Sequence, residues 1–297
     1  MIEVSKLTKY FDSFKALDEL DMTVPKGSVY GLVGPNGAGK STVLRHITGI
    51  YKQDSGNVLI DGHNVFENND IKSRIAFIPD DVFYFPQAGV RDMMRYYSDL
   101  YPKFDTDRYK KLGEVFAFDD KMPIRRMSKG MQKQAAFWLA MCQRPDYLIL
   151  DEPVDGLDPV MRRQVWSIIM GDVAENGTTV LVSSHNLREL EDVCDYVGII
   201  HNGKTILERS LTELQDNIVK VQIVYPEGGK LPKDLSVLHH TQSGKLSTYI
   251  IKGKAADIAL LLETTSPIFY DIIPLTLEEI FIHELGGADY NVKDILL

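Results

Sequence analysis

Residues 34–42 read Gly34-Pro35-Asn36-Gly37-Ala38-Gly39-Lys40-Ser41-Thr42, which matches the pattern G-x-x-x-x-G-K-[ST]. Glycines let backbone N–H groups curl around a phosphate. A helix opening directly after them turns its positive end toward the same anion. Lys40 supplies a cation for the β- and γ-phosphate oxygens, and Ser41 offers a hydroxyl to Mg²⁺. Further on, the apolar run Tyr147-Leu148-Ile149-Leu150 ends in Asp151-Glu152. The first carboxylate is placed to hold Mg²⁺, directly or through water. The second can orient or deprotonate an attacking water. A strand ending in solvated acids is common and means little alone. In one chain with a phosphate loop it points to hydrolysis of a nucleotide phosphate. The glycine order is not G-x-G-x-x-G, which argues against a dinucleotide fold.

These groups need a frame. Val29–Val33 reads as a buried strand running straight into the glycine loop, and Val43, Leu44 and Ile47 mark the core face of the next helix, with Gly49 as its stop. Ile2–Leu7, Leu20–Val24 and Asn57–Asp61 read as short strands near the start. Ile75–Ile78, Tyr147–Leu150, Thr179–Ser183 and Tyr196–Ile200 are strand-like and apolar, and the last three alternate with helices at Pro159–Ala174 and Leu187–Val193. Such alternation implies a mainly parallel sheet covered by helices. Asp158 before Pro159 is a good cap and first-turn pair. Val90–Leu100, Thr106–Phe118 and Ser128–Cys142 read as helices inserted between strands. Asn202-Gly203 signals a hairpin, and Ser210 with Glu213 fits a capping box. Beyond it, Val219–Val224, Val237–Thr241, Leu246–Ile251 and Ile268–Ile272 read as strands, with helices at Ala255–Glu263 and Leu277–Leu285.

The expected fold is therefore α/β: a P-loop nucleotide-hydrolase domain over residues 1–215, with a helical subdomain at about 80–145. A small α+β accessory domain with a tail follows over 216–297. The chain has 297 residues and a net charge of −9. An acidic balance disfavours sequence-independent nucleic-acid binding and loose docking on anionic lipid. Cys142 and Cys194, the two cysteines, lack CxxC spacing and read as buried thiols in apolar helical patterns. The opening MIEVSKLTKYF is no signal peptide, and no apolar run reaches membrane-helix length. The expectation is a cytoplasmic protein whose membrane role, if any, comes through a partner.

Three further segments carry a family resemblance. Met127-Ser128-Lys129-Gly130-Met131-Gln132 resembles the ABC signature LSGGQ, Asp155-Gly156-Leu157-Asp158 is similar to the D-loop, and His185 follows a buried strand as the switch histidine does. With the phosphate loop and Asp151-Glu152, the order and spacing resemble ABC ATPase domains over about residues 1–215. The resemblance implies a subunit that binds and hydrolyses Mg²⁺–ATP in a head-to-tail dimer, either homodimer or heterodimer. Residues 34–42 would cradle the phosphates, and Ser128 and Gly130 of one protomer would meet the γ-phosphate on the other. His185 and Glu152 would hold the attacking water beside Lys40, and Asp158 would bridge protomers. The family's adenine-stacking aromatic corresponds to Phe11, with Tyr10 as the alternative.

The sequence also departs from the family. Asp80 stands where the Q-loop glutamine is usual; it could ligand Mg²⁺ or water with shorter reach, alongside Ser41 and Asp151. Met127, Lys129 and Met131 replace Leu, Gly and Gln of the signature. Such features resemble bacterial ABC-2-type exporters with separate membrane subunits. Within that group, Leu275–Leu285 and Phe83–Tyr97 look like subunits linked to acetoin use, cell-wall-antibiotic response or export of amphipathic peptide toxins. The implied partner is an integral membrane subunit, which would hold this chain peripherally on the inner face of the cell membrane. It would dock near Ile78–Tyr101, where Phe83, Tyr84, Phe85, Tyr96, Tyr97 and Tyr101 suit an interface or a local core. Two other readings stand beside this one. A soluble ABC ATPase acting on nucleic acid or ribosomes usually has a long coiled coil or a second cassette, and this chain has neither. A non-hydrolysing assembly module does not need Lys40, Asp151, Glu152 and His185 together.

Overall fold

The computed structural model describes residues 1–226, 231–232 and 234–280. Two compact units emerge. One comprises residues 1–186 and 193–208; the other comprises 187–192 and 209 onward.

The first unit opens with β1 (Ile2–Phe11) and β2 (Phe14–Val24), followed by β3 (Val29–Val33), α1 (Lys40–Ile47), β4 (Ser55–Ile60), β5 (His63–Asn64), α2 (Asn69–Lys72) and β6 (Ile75–Ile78). Strands β1 and β2 are longer than the alternation predicts. Lys6 and Glu19 adopt left-handed backbone, and the pairing slips between Val4 and Leu7. Each bulge resets which face a side chain takes, so strict period-2 reading stops there. Next come α3 (Val90–Leu100), α4 (Thr106–Phe116), α5 (Lys129–Cys142), β7 (Tyr147–Asp151), α6 (Pro159–Asn176), β8 (Thr179–Ser184), β9 (Tyr196–His201) and β10 (Lys204–Ser210). A six-stranded sheet has the order β10-β9-β3-β8-β7-β6, and the pairs from β9 to β6 are all parallel. The five residues of β3 and the five of β7 are buried throughout, as a sheet covered on both faces requires. The Asn202-Gly203 turn joins β9 to β10 with both residues at positive φ, the geometry a two-residue hairpin needs.

In the helical subdomain, the Trp138 indole stacks on Tyr109 at 4.7 Å and donates to the Tyr109 carbonyl at 2.8 Å. The aromatic stretch predicted as interface or core divides into buried and exposed rings. Tyr84 is buried, and Tyr97 is half-buried, its hydroxyl pushed up to about 12 by burial. Phe83, Phe85 and Tyr96 are exposed, at 75%, 50% and 47%.

In the second unit, α7 (Leu211–Asp216), β11 (Ile218–Val224), β12 (Ser236–Ser243), β13 (Leu246–Lys252), α8 (Ala255–Glu263) and β14 (Phe269–Pro274) build an antiparallel sheet of order β12-β13-β11-β14. Ile258 and Leu262 of α8 pack on Val219, Val221, Ile223 and Ile251. The helix predicted over Leu277–Leu285 is seen at 277–280; its remainder lies outside the described residues. The helix predicted at Leu187–Val193 is instead a 3₁₀ turn at Leu187–Glu189 followed by turns. Leu187 and Leu190 are both buried, and their i, i+3 spacing serves a 3₁₀ turn as well as an α-helix. Cys194 therefore sits just before β9 rather than in a helix. Burial raises both thiols, Cys142 to about 12, which leaves them inert at neutral pH. Among the described residues, no helix is long and apolar enough to cross a membrane.

Candidate nucleotide site

The loop between β3 and α1 is held open by close approaches that only glycine permits. A Cβ on Gly34 would lie 2.3 Å from the Ile200 carbonyl oxygen, and one on Gly39, at φ +109°, would lie 2.8 Å from Leu17. Gly39 caps α1, so the free N–H groups of its first turn face the loop. Pro35, Asn36, Gly37, Gly39, Lys40, Ser41 and Thr42 line a cavity of about 330 Å³. Asp80, Glu152, Phe11, Phe14 and Ala16 line it as well. Tyr10 does not line it; its ring takes the Lys15 ammonium instead. Phe11 is 39% exposed and meets Tyr51 edge-on at 5.5 Å. Phe14 was not anticipated. It follows the Asp12-Ser13 turn and pairs with Phe11 across the hairpin, 65% exposed.

Lys40 and Glu152, both on the cavity, and His185, which does not line it, form a chain of contacts. The buried Lys40 ammonium donates to the Gly34 carbonyl at 2.7 Å and lies 3.2 Å from Glu152 Oε1. Glu152 Oε2 accepts from the His185 ring at Nδ1, 3.0 Å away, and from the His185 main-chain N–H at 3.3 Å. Glu152 itself has φ +46°, a left-handed conformation that costs a non-glycine residue about 1 kcal/mol. Its N–H donates to the Ser183 carbonyl at 3.2 Å and to the Ser183 hydroxyl at 3.1 Å. That same hydroxyl donates to Asp151 at 2.6 Å. Asp151 is 2% exposed and does not line the cavity. A carboxylate buried this deeply needs its hydroxyl partner.

Asp80 lines the cavity, and its carboxylate lies 3.3 Å from the ammonium of Lys133, a residue the sequence reading passed over. Lys133 stands between Gln132 and Gln134, ahead of the apolar run that begins at Ala135, so the local sequence carried no signal for it. The oxygen donors of Ser41 and Asp80 on one cavity suit a hard cation such as Mg²⁺.

The remaining predicted residues lie outside this cavity. Ser128 caps α5, accepting from the Met131 N–H at 3.3 Å, and Asp158 caps α6, accepting from Val160 and Met161 at 3.0 Å each. Gly130 approaches the loop before α6 so closely that a Cβ would lie 2.9 Å from the Gly156 carbonyl oxygen. Gly130 is thus brought beside the 155–158 loop of the same chain, and neither Ser128 nor Gly130 lines its own phosphate cavity.

Residues 17–155 match the family described as ABC transporter. The ABC transporter ATP-binding protein YtrB of Bacillus subtilis is 30% identical over 288 residues, covering 97% of this chain and 99% of that one. The lantibiotic transport ATP-binding protein SrtF of Streptococcus pyogenes is 32% identical over 210 residues, 70% of this chain and 90% of that one. A solved structure of an ATP-binding subunit of an ABC transporter superposes with a TM-score of 0.67 at 26% identity, covering 72% of this chain and 92% of the other. With near-complete coverage of such a relative and the phosphate loop and Glu152 gathered on one cavity, this chain belongs to the ATP-binding proteins of ABC transporters, the ATP-hydrolysing subunits that energise transport.

Proposed function

We propose that the chain drives an exporter through a separate integral membrane subunit, by closing and reopening a head-to-tail dimer around two Mg²⁺–ATP. The observation that carries this reading is the Lys40–Glu152–His185 chain of contacts, with Lys40 and Glu152 on the phosphate cavity. Residues 34–42 bind the triphosphate, and Phe11 stacks on the base. Lys40 neutralises the β- and γ-phosphates. Ser41, Asp80 and Asp151 would hold Mg²⁺, which would supply charge neutralisation at the transferring phosphoryl group. Glu152 orients and deprotonates the attacking water, with His185 beside it. Ser128 and Gly130, on the exposed start of α5, are available to a second protomer's γ-phosphate, and Asp158 to the dimer contact. The exposed rings of Phe83, Phe85 and Tyr96 support a membrane-subunit docking surface on the helical subdomain. The absence of a spanning helix among the described residues is consistent with attachment through that partner. A relative named for lantibiotic transport supports an exporter of amphipathic peptides.

The discriminating variant is Glu152→Gln. It is expected to bind ATP, accumulate as a closed dimer on size exclusion and lose about 10²–10⁴-fold in turnover. Wild-type steady-state hydrolysis by that variant would remove Glu152 from its role. Purification of the protein from native membranes should recover an integral membrane protein with it; recovery of the soluble chain alone would sink the exporter reading.

A further inference from the structure

Lys133 sits in the second turn of α5 with its side chain only 8% exposed. Its ammonium donates to the Glu152 main-chain oxygen at 2.5 Å and pairs with Asp80 at 3.3 Å. A buried ammonium is retained only where such acceptors compensate its lost hydration. The two acceptors belong to different elements. Asp80 follows β6, and Glu152 follows β7. One cation on the helical subdomain therefore holds the exits of two neighbouring sheet strands, at the two acidic residues that line the phosphate cavity.

The grip on Glu152 falls where the backbone is least at ease. A left-handed non-glycine residue persists only if its surroundings over-determine it. At Glu152 the N–H is taken by Ser183, the carbonyl by Lys133, and the carboxylate by Lys40 and His185. Ser183 and Lys133 fix the two flanking peptide groups, and those groups set where the carboxylate points.

We propose that Lys133 is a positioning residue for hydrolysis: its ammonium locks the left-handed turn at Glu152 and ties that turn to α5 and Asp80, so that displacement of the helical subdomain aims or releases the Glu152 carboxylate. This rests on the reading of Glu152 as the water-activating group. A cation serving only subdomain packing would behave differently. Its loss would lower stability, ATP affinity and turnover together.

The test compares full-length wild type with Lys133→Met and Lys133→Arg, measuring ATP Kd, KM, kcat and thermal midpoint. Lys133→Met is expected to keep ATP affinity within about twofold and to lose roughly 10–100-fold in kcat, the scale of a small misplacement of a reacting group. Lys133→Arg should recover most of that loss, because a guanidinium offers both charge and several donors. Wild-type kcat in Lys133→Met overturns the proposal, as does a parallel fall in kcat and ATP affinity that arginine does not rescue. If the methionine variant does not fold, Lys133→Gln carries the test. It keeps a neutral, shorter donor, and should lose severalfold in kcat at unchanged Kd; wild-type kcat there overturns the proposal equally. Glu152→Gln separates the two levels. Full turnover in that variant fails the underlying reading, whereas its inactivity together with a fully active Lys133→Met fails only the role of Lys133.

Discussion

Phe11 and Tyr10 are adjacent aromatics, yet only Phe11 faces the phosphate-loop cavity. Stacking of a base on an aromatic ring is worth about 1–3 kcal/mol, or roughly fivefold and upward in affinity. Phe11→Ala is therefore expected to raise the Kd for ATP at least about fivefold in a fluorescent-nucleotide titration, with Tyr10→Ala close to wild type. The opposite ranking would move the stacking role to Tyr10. The sequence made Lys40, Ser41 and Glu152 legible because their chemistry demands particular residue types at fixed spacing. Phe14 and Lys133 were not legible for a physical reason. Phe14 reaches the cavity only through the hairpin pairing of β1 with β2, and Lys133 acquires its partners only when α5 packs beside the ends of β6 and β7. Contacts made between distant segments leave no local pattern.

At the scale of elements, boundaries read best where one period held without interruption. Val90–Leu100 and Ala255–Glu263 have the predicted limits, whereas the bulged β1 and β2 do not. Charge ties several elements together. Asp61, after β4, accepts from Tyr147 at 2.6 Å and pairs with the N-terminal ammonium at 2.8 Å and with Arg74 at 2.6 Å. Burial opposes its charge, but these three partners hold its carboxyl well below the ordinary 3.8. A lowered folded value means the unfolded chain binds the proton more readily. The stabilisation is fully present above about pH 4 and drains away as pH falls through the lowered value. With 27% of the side chain exposed, the network is worth about 1 kcal/mol. Asp61→Asn should lower stability by that amount in denaturant titrations at pH 7, and the gap should narrow as pH falls below 4 (~3–4 is the window to sample). A pH-independent gap would mean that packing, not charge, carries the effect. The start of α5 is constrained differently. Gly130→Ala places a carbon 2.9 Å from a backbone oxygen of Gly156, which cannot rotate away. Unfolding by denaturant should report a loss of about 1–3 kcal/mol; an unchanged midpoint would show that the 155–158 loop yields freely.

For the whole molecule, the division into units cuts through the chain just beyond His185. His185 belongs to the first unit, and residues 187–192 belong to the second. Within the second unit, Arg188 pairs with Glu278 at 2.8 Å, and Glu191 accepts from the Leu277 N–H at 3.0 Å. Leu187 and Leu190 are buried at 3% and 1%. Only Asn186 separates His185 from this anchored segment, so the freedom of the histidine backbone is expected to depend on the partners of residues 187–192. Removing residues 209–297 takes those partners away while leaving the phosphate loop, Asp151 and Glu152 in place. A chain of residues 1–208 is expected to bind ATP within a few-fold of the full protein. It should lose about tenfold or more in kcat, because a slightly displaced reacting group costs far more in rate than in binding. Amide exchange should speed up over 185–192 in the same protein. The weaker full-length variant Glu191→Ala, which removes only the acceptor for Leu277, should move exchange in the same direction by less. If the shortened chain turns over as fast as the whole one with unchanged exchange at 185–192, then β8 and Glu152 suffice to hold the histidine and the C-terminal unit has no bearing on hydrolysis.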